Sequence, residues 1–243
     1  YSETVVVRNG NLTGTAEFLY LSPSLASVAT GAVTTYAGVG SFSGENVSAA
    51  LARLSRPTGA IFDGAGNFYF SDTDNNRVRR VSPNGIIQTV AGTGAWGSDG
   101  DGGPAVLAQL SEPHGLAFDS AGKLYIADSG NARIRVVGLD GVISTYAVSN
   151  QTELSVPEEK ALISAAFEFP IALVFDSSGN LYVSDAFENK IFKISSAGSV
   201  TTVAGAGNAG FSGDGGPATA ASMNYPTGLA FDSAGNMYVS DTF

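Results

Sequence analysis

An all-β fold of radially repeated four-stranded sheets, a β-propeller, is predicted by three features of this 243-residue sequence. One wording recurs along the chain, each copy carries a turn signal in the same register, and apolar and polar residues alternate on both sides of that turn. The copies are LSRPTGAIFDGAGNFYFSD from Leu54, LSEPHGLAFDSAGKLYIAD from Leu110, FEFPIALVFDSSGNLYVSD from Phe167 and MNYPTGLAFDSAGNMYVSD from Met223. They align without gaps on Pro57, Pro113, Pro170 and Pro226 and on Gly66, Gly122, Gly179 and Gly235. The period is about 56 residues, long for a repeat protein.

Within a unit, the first strand (GLAFD) meets an Asp-x-x-Gly-Asn turn and reverses into the second (LYVSD), because glycine supplies positive φ and the Asp side chain bonds backbone amides two residues on. NRVRRV, ARIRVV and NKIFKI are predicted as third strands with basic residues outward, and IIQTVAG and its copies as fourth strands. Gly10, with Asn11 and Leu12, falls one period before Gly66, and TGAVTTYAG from Thr30 matches the later fourth strands, so residues 1–38 read as a divergent first repeat. Full repeats follow at 39–94, 95–150 and 151–207, and a partial one at 208–243. A single domain, 1–243, with about four and a half repeats is expected.

The consensus P-x-G-L-A-F-D-x-x-G-N-L-Y-x-x-D-x-x-N-x-R-I-R resembles the NHL repeat, strongly over Leu54 to Phe243 and weakly over the first 38 residues. The variant is similar to the long bacterial-type repeat with GFSGDGGPA loops between blades. The resemblance implies adjacent blades around a central channel and an interaction platform.

Apolar residues make up 44% and charged residues 14%, with 31 glycines, which suits a turn-rich globular protein. Twelve Lys and Arg against 22 Asp and Glu give a net charge of -10, so a phosphate backbone is repelled and no nucleic-acid partner is expected. With no cysteine there are no disulfides or thiolate chemistry, and no apolar run is long enough for a spanning helix, so no membrane insertion is expected. The chain begins with Tyr rather than Met and reads as a processed form or a fragment.

The linker GFSGDGGPATAASM lacks the Lys of a phosphate loop and the ligand frame of a calcium loop, although it carries Asp214, as its copy carries Asp99 and Asp101. It is expected to start a short helix at Pro104 or Pro217, and the third copy, SVPEEKALISAAF, to keep a small apolar helix. Asp72, Asp128, Asp185 and Asp241 recur in register, each of the first three followed five residues later by Arg77, Arg133 or Lys190. Partly exposed ion pairs of about 0 to 1 kcal/mol within each blade are expected there.

Chemistry requires asymmetry among the repeats, and the channel mouth is where it would show. The aligned residues are Arg56, Glu112, Phe169 and Tyr225 before the prolines and Thr58, His114, Ile171 and Thr227 after them. One histidine rules out a three-His zinc site. Glu112, His114 and Asp119 are the only metal or acid-base candidates, so no catalytic, cofactor or metal site is assigned. N-x-S/T sequons stand at Asn11, Asn46 and Asn150.

The functional expectation is a non-enzymatic scaffold or binding module at the cell surface or outside the cell. The alternative is a metal-dependent, lactonase-like propeller hydrolase. The partial last repeat adds a further expectation: strands beyond Phe243, or from another copy of the chain in a fibre, complete its blade. Closure of a four-bladed ring by residues 4–18 is the competing route.

Overall fold

The protein is described by a computed structural model over residues 44–149 and 163–243. The first blade comprises β1 (Val47–Ser48), β2 (Pro57–Phe62), β3 (Phe68–Asp72), β4 (Arg77–Val81) and β5 (Ile86–Ala91), in the order β1-β5-β4-β3-β2. The second has β6 (Pro113–Phe118), β7 (Leu124–Asp128), β8 (Arg133–Val137), β9 (Ile143–Ser149) and β10 (Ile163–Ala165), in the order β10-β9-β8-β7-β6. The third has β11 (Pro170–Phe175), β12 (Leu181–Asp185), β13 (Lys190–Ile194) and β14 (Val200–Ala204), and the fourth has β15 (Pro226–Phe231) and β16 (Met237–Asp241). Consecutive strands of each four-stranded meander are antiparallel, as the sequence predicts. The architecture is a β-propeller.

Adjacent blades bury the faces they share. Val78, Ala91, Leu116, Leu124 and Ile126 fill the seam between the first and second blades, and Ile134, Ala147, Leu173, Val183 and Phe192 the next. An aromatic pair locks each seam: the Tyr of one blade's second strand meets the Phe ending the next blade's first strand. Tyr69–Phe118, Tyr125–Phe175 and Tyr182–Phe231 lie edge to face at 5.1, 5.0 and 4.9 Å. Phe62 and Tyr238, the outer members of the series, have no such partner blade among the described residues and are 44% and 59% exposed. Because Phe118 is only partly buried, Phe118→Ala should cost about 2 kcal/mol, below the 3–5 of a fully buried ring. Urea denaturation matching that of the parent would contradict the seam register.

Two expectations about the charged residues are corrected by the structure. The third-strand basic residues do not all point outward: Arg79, Arg133 and Arg135 are 1%, 3% and 0% exposed, whereas Arg77, Arg80, Lys190 and Lys193 are half-buried. β4 and β8 are paired on both sides and covered on both faces, so their long side chains run to carboxylates and carbonyls of the linkers. Arg135 donates to Asp101 at 2.6 Å, and Arg79 lies 3.4 Å from Glu45.

The aspartates closing the second strands are not partly exposed ion pairs either. Asp72, Asp128 and Asp185 are fully buried, and their carboxylates accept amide protons from the chain entering their own blade, at Ser55, Ser111 and Phe169. Only Asp128 pairs with the basic residue five positions on, Arg133, at 2.9 Å. Arg77 donates to the Thr93 carbonyl and Lys190 to Glu188 instead.

The linkers form single 3₁₀ turns, Ala105–Leu107 and Ala218–Ala220, with Pro104 and Pro217 just outside them rather than in a first helical turn. The first linker carries the outer strand of the blade it enters, through Gly102 N–H to Ile143 O, Ile143 N–H to Gly103 O and Ala105 N–H to Gly141 O, at 2.8, 3.0 and 2.9 Å. In the third copy, Ile163–Ala165 is a strand parallel to β9 and not helix. Residues 155–162 of that copy, the divergent first repeat with Gly10, and the ring-closing residues 4–18 lie outside the described residues.

Candidate functional site

One rim of the propeller is built from two positions per blade. The residue preceding each first strand gives Arg56, Glu112, Phe169 and Tyr225. The second residue past each second strand gives Asp74, Gly130, Phe187 and Phe243. Arg56, Glu112 and Tyr225 have φ of 45, 44 and 61°, a costly conformation for bulky residues that the surroundings must enforce. The second and fourth blades share one device: Asn76 and Asn189 of the preceding blades accept the amide protons of Glu112 and Tyr225 at 3.0 and 2.9 Å. Ala132 occupies the corresponding left-handed position in the second blade and offers no such acceptor. Phe169, without positive φ, donates to Asp185 of its own blade instead.

The frame repeats while its decoration does not. In the first two blades the rim is charged: Arg56 bridges Asp74 at 2.7 Å and Glu112 at 3.0 Å, across the blade junction. In the last two it is aromatic. Phe169 stacks on Phe187 at 4.8 Å, Phe187 lies 5.9 Å from Tyr225, and Tyr225 meets Phe243 at 5.4 Å. His114 adjoins this line edge-on to Phe169 at 5.4 Å. Phe187 and Phe243 are 50% and 78% exposed, which makes the strip a surface. Below it, hydroxyls tie the inner strands together: Ser71 donates to the His114 carbonyl, Thr73 to that of Pro113 and Ser129 to that of Pro170.

The three candidate ligands do not converge. His114 is buried, with Nδ1 within 2.8 Å of the Glu112 carbonyl and 3.1 Å of the Ser129 hydroxyl, while the Glu112 carboxylate turns away to Arg56. Asp119 lies past the other end of β6, about 17 Å along an extended strand, and accepts the Ala121 and Lys123 amides of its turn. Of the sequons, Asn46 is exposed at a φ of 59°, and Asn11 and Asn150 lie outside the described residues. Sequence reasoning missed Asp74, Phe187 and Phe243. Aligning the column two residues past the second-strand aspartate exposes the switch from charge to ring.

Burial holds the His114 imidazole below the ordinary histidine range, with Arg56 adding to that and the Glu112 carbonyl and carboxylate opposing it. A depressed folded-state pKa contributes stability above the unfolded value of about 6.5 that is lost as pH falls below it. This is the only histidine of the chain. Melting temperature should therefore drop between pH 7 and 5 in the parent and drop less in His114→Asn. Parallel curves in scanning calorimetry would refute the assignment.

The family model described as the Teneurin NHL domain matches residues 96–208. Teneurin-4 of Mus musculus is 30% identical over 224 residues, an alignment covering 82% of this chain and 8% of that protein. The chain thus spans less than a tenth of the length of the teneurins it matches. NHL repeat-containing protein 2 of Bos taurus is 30% identical over 146 residues, covering 56% of this chain and 20% of that protein. Among solved structures, a gluconolactonase from Xanthomonas campestris superposes with a TM-score of 0.50 at 15% identity, covering 78% of this chain and 55% of that one, a likeness of fold alone. Repeat wording, blade topology and these matches agree: the chain belongs to the NHL-repeat β-propeller family.

Proposed function

We propose that this chain is a non-enzymatic binding module for proteins, acting at the cell surface or outside the cell, and that copies of it associate by adding strands to the fourth blade. The observation that carries the reading is the asymmetric rim, where one repeated frame presents ion pairs on two blades and exposed rings on the next two. Catalysis needs converging polar groups, whereas an exposed aromatic strip beside charge suits a protein contact. Tyr225 and Phe243 belong to the same blade as β16, whose outer edge has no paired strand among the described residues. An open edge pairs readily with another strand.

The second linker supports the same reading. Gly213 to Ala218 repeats the wording of Gly100 to Ala105, yet residues 211–220 are exposed. In the first linker, Asp101 meets Arg135 and the Gly102 and Ala105 amides meet the outer strand of the second blade. Similarity to the teneurins supports the surface location. A lactonase-like hydrolase, the rival reading, would have to bring Glu112, His114 and Asp119 to one metal.

Sedimentation velocity over a range of concentrations tests the proposal. Concentration-dependent association is expected, with the Met237 and Val239 amides protected from hydrogen exchange in the associated form. The Phe187→Glu, Phe243→Glu double variant should weaken association about ten-fold or more. A chain that stays monomeric at every concentration, or a double variant that associates like the parent, would reject it.

A further inference from the structure

On the face opposite the rim, the hairpin turns of the first and second blades line an open cleft of about 450 Å³, within the range of small-ligand sites. Three rings line it, Phe62, Tyr69 and Phe118, together with the carboxylate residues Asp63 and Asp119. Tyr69 and Phe118 stand nearly perpendicular, at 84°, and form a corner. Aromatic rings with carboxylates beside them suit an organic cation.

The cavity sits where the repeats depart from one another. In three of the four turns an asparagine at the fifth position, Asn67, Asn180 or Asn236, donates to the outer oxygen of the turn aspartate at 2.7 Å. In the second turn that residue is Lys123, and among the described residues the outer oxygen of Asp119 accepts only from the Tyr125 hydroxyl, at 3.5 Å. At the second seam, Tyr146 packs edge-on against Tyr125 at 4.9 Å, while the corresponding residue of the first blade is the smaller Val90. The first seam therefore has both a less engaged carboxylate and room beside its tyrosine.

The third blade shows what the position can hold. Lys193 places its ammonium 5.5 Å from the centre of the Tyr182 ring. Against the opposing effect of desolvation, the Asn180 side chain and the Asn180 and Ser178 amides hold the Asp176 carboxyl below the usual range, and the Lys193 charge adds to them. Tyr182 is the counterpart of Tyr69. The residue aligned with Lys193 in the first blade is Arg80, which donates to Gln88 and lies beside the Tyr69 hydroxyl without lining the cavity.

We infer that the cavity between the first two hairpin turns binds an alkylated ammonium group, with Phe62, Tyr69 and Phe118 as the cage and Asp119 as the principal counter-charge. Alkylation matters because such a cation has little to lose in hydrogen bonds to water and presents methyl groups to the rings.

Choline chloride and its neutral isostere 3,3-dimethylbutan-1-ol, titrated against the 243-residue chain by NMR, test this. Choline should shift the resonances of Phe62, Tyr69 and Phe118, with the isostere about ten-fold weaker or worse. Asp119→Asn keeps an acceptor for the Ala121 and Lys123 amides and should fold; it is expected to weaken choline several-fold while leaving the isostere unchanged. Phe62→Leu, at an exposed position, should weaken choline as well. Equal binding of the two probes, shifts confined to other residues, no binding of either, or an Asp119→Asn titration identical to the parent's would each overturn the inference.

Discussion

Asp128→Ala is expected to lose about 3–5 kcal/mol of stability, because removing one partner of a buried ion pair leaves an uncompensated charge behind. The Asp128 carboxylate accepts the Ser111 amide at 2.7 Å, the Asn131 side chain at 2.8 Å and the Arg133 guanidinium at 2.9 Å, with Arg135 at 3.8 Å. Burial raises its pKa, and Arg133 and the Ser111 amide work against that rise. Without it, Arg133 keeps, among the described residues, only the Ser98 carbonyl, Arg135 keeps Asp101 and the Gln109 carbonyl, and the Ser111 amide loses its acceptor. Asp241 occupies the same register in the fourth blade but is exposed, and its side chain accepts only the Asn224 amide among the described residues. Asp241→Ala should cost about 1 kcal/mol or less. Chemical denaturation of both variants decides the point, and equal losses would show that the buried network contributes nothing beyond the repeated amide contact.

Gly115→Val should damage the seam between the second and third blades more than any single surface change. A Cβ at Gly115 would stand 2.2 Å from the Ile171 carbonyl oxygen and 3.0 Å from the Ala172 Cα, so the obstacle is backbone that cannot swing aside. The blades would have to separate, straining the Ser129 bond to Pro170 and the Tyr125–Phe175 contact. A cost of about 3 kcal/mol or more is expected, at or beyond the upper end for overpacked cores. Gly64→Ala is the control, since nothing lies within 4 Å of its added carbon, and it should fall within about 0.5 kcal/mol of the parent. Indistinguishable unfolding of the two variants would mean that the inner strands are not held at this spacing.

The rim and the cavity were legible to different degrees. Arg56, Glu112, Phe169 and Tyr225 stand out once the prolines are aligned, because a repeated frame makes its own departures visible. Their partners Asp74, Phe187 and Phe243 come from a different strand end, and pairing the two columns requires knowing that both meet at one rim. The cavity depends on the residues at positions 90, 119 and 123, scattered over two blades. No single stretch of sequence announces it.

The sequence by itself determined the element order, the turn chemistry and the repeat. Strand alternation and the Asp-x-x-Gly-Asn signal are local, and the repeated copies reinforce them. Even the turn hydrogen bonds follow the wording: Asp63, Asp176 and Asp232 each accept two backbone amides and an asparagine side chain. Tertiary structure alone decided where the charges went. An alternating pattern cannot tell a solvent-facing arginine from one covered by a linker or a neighbouring blade. Arg79 and Arg135 are interior because the linkers, through Gly44 and Glu45 and through Asp101 and Gln109, close over them, and the second-strand aspartates spend their carboxylates on the entering chain rather than on the basic residue five positions later.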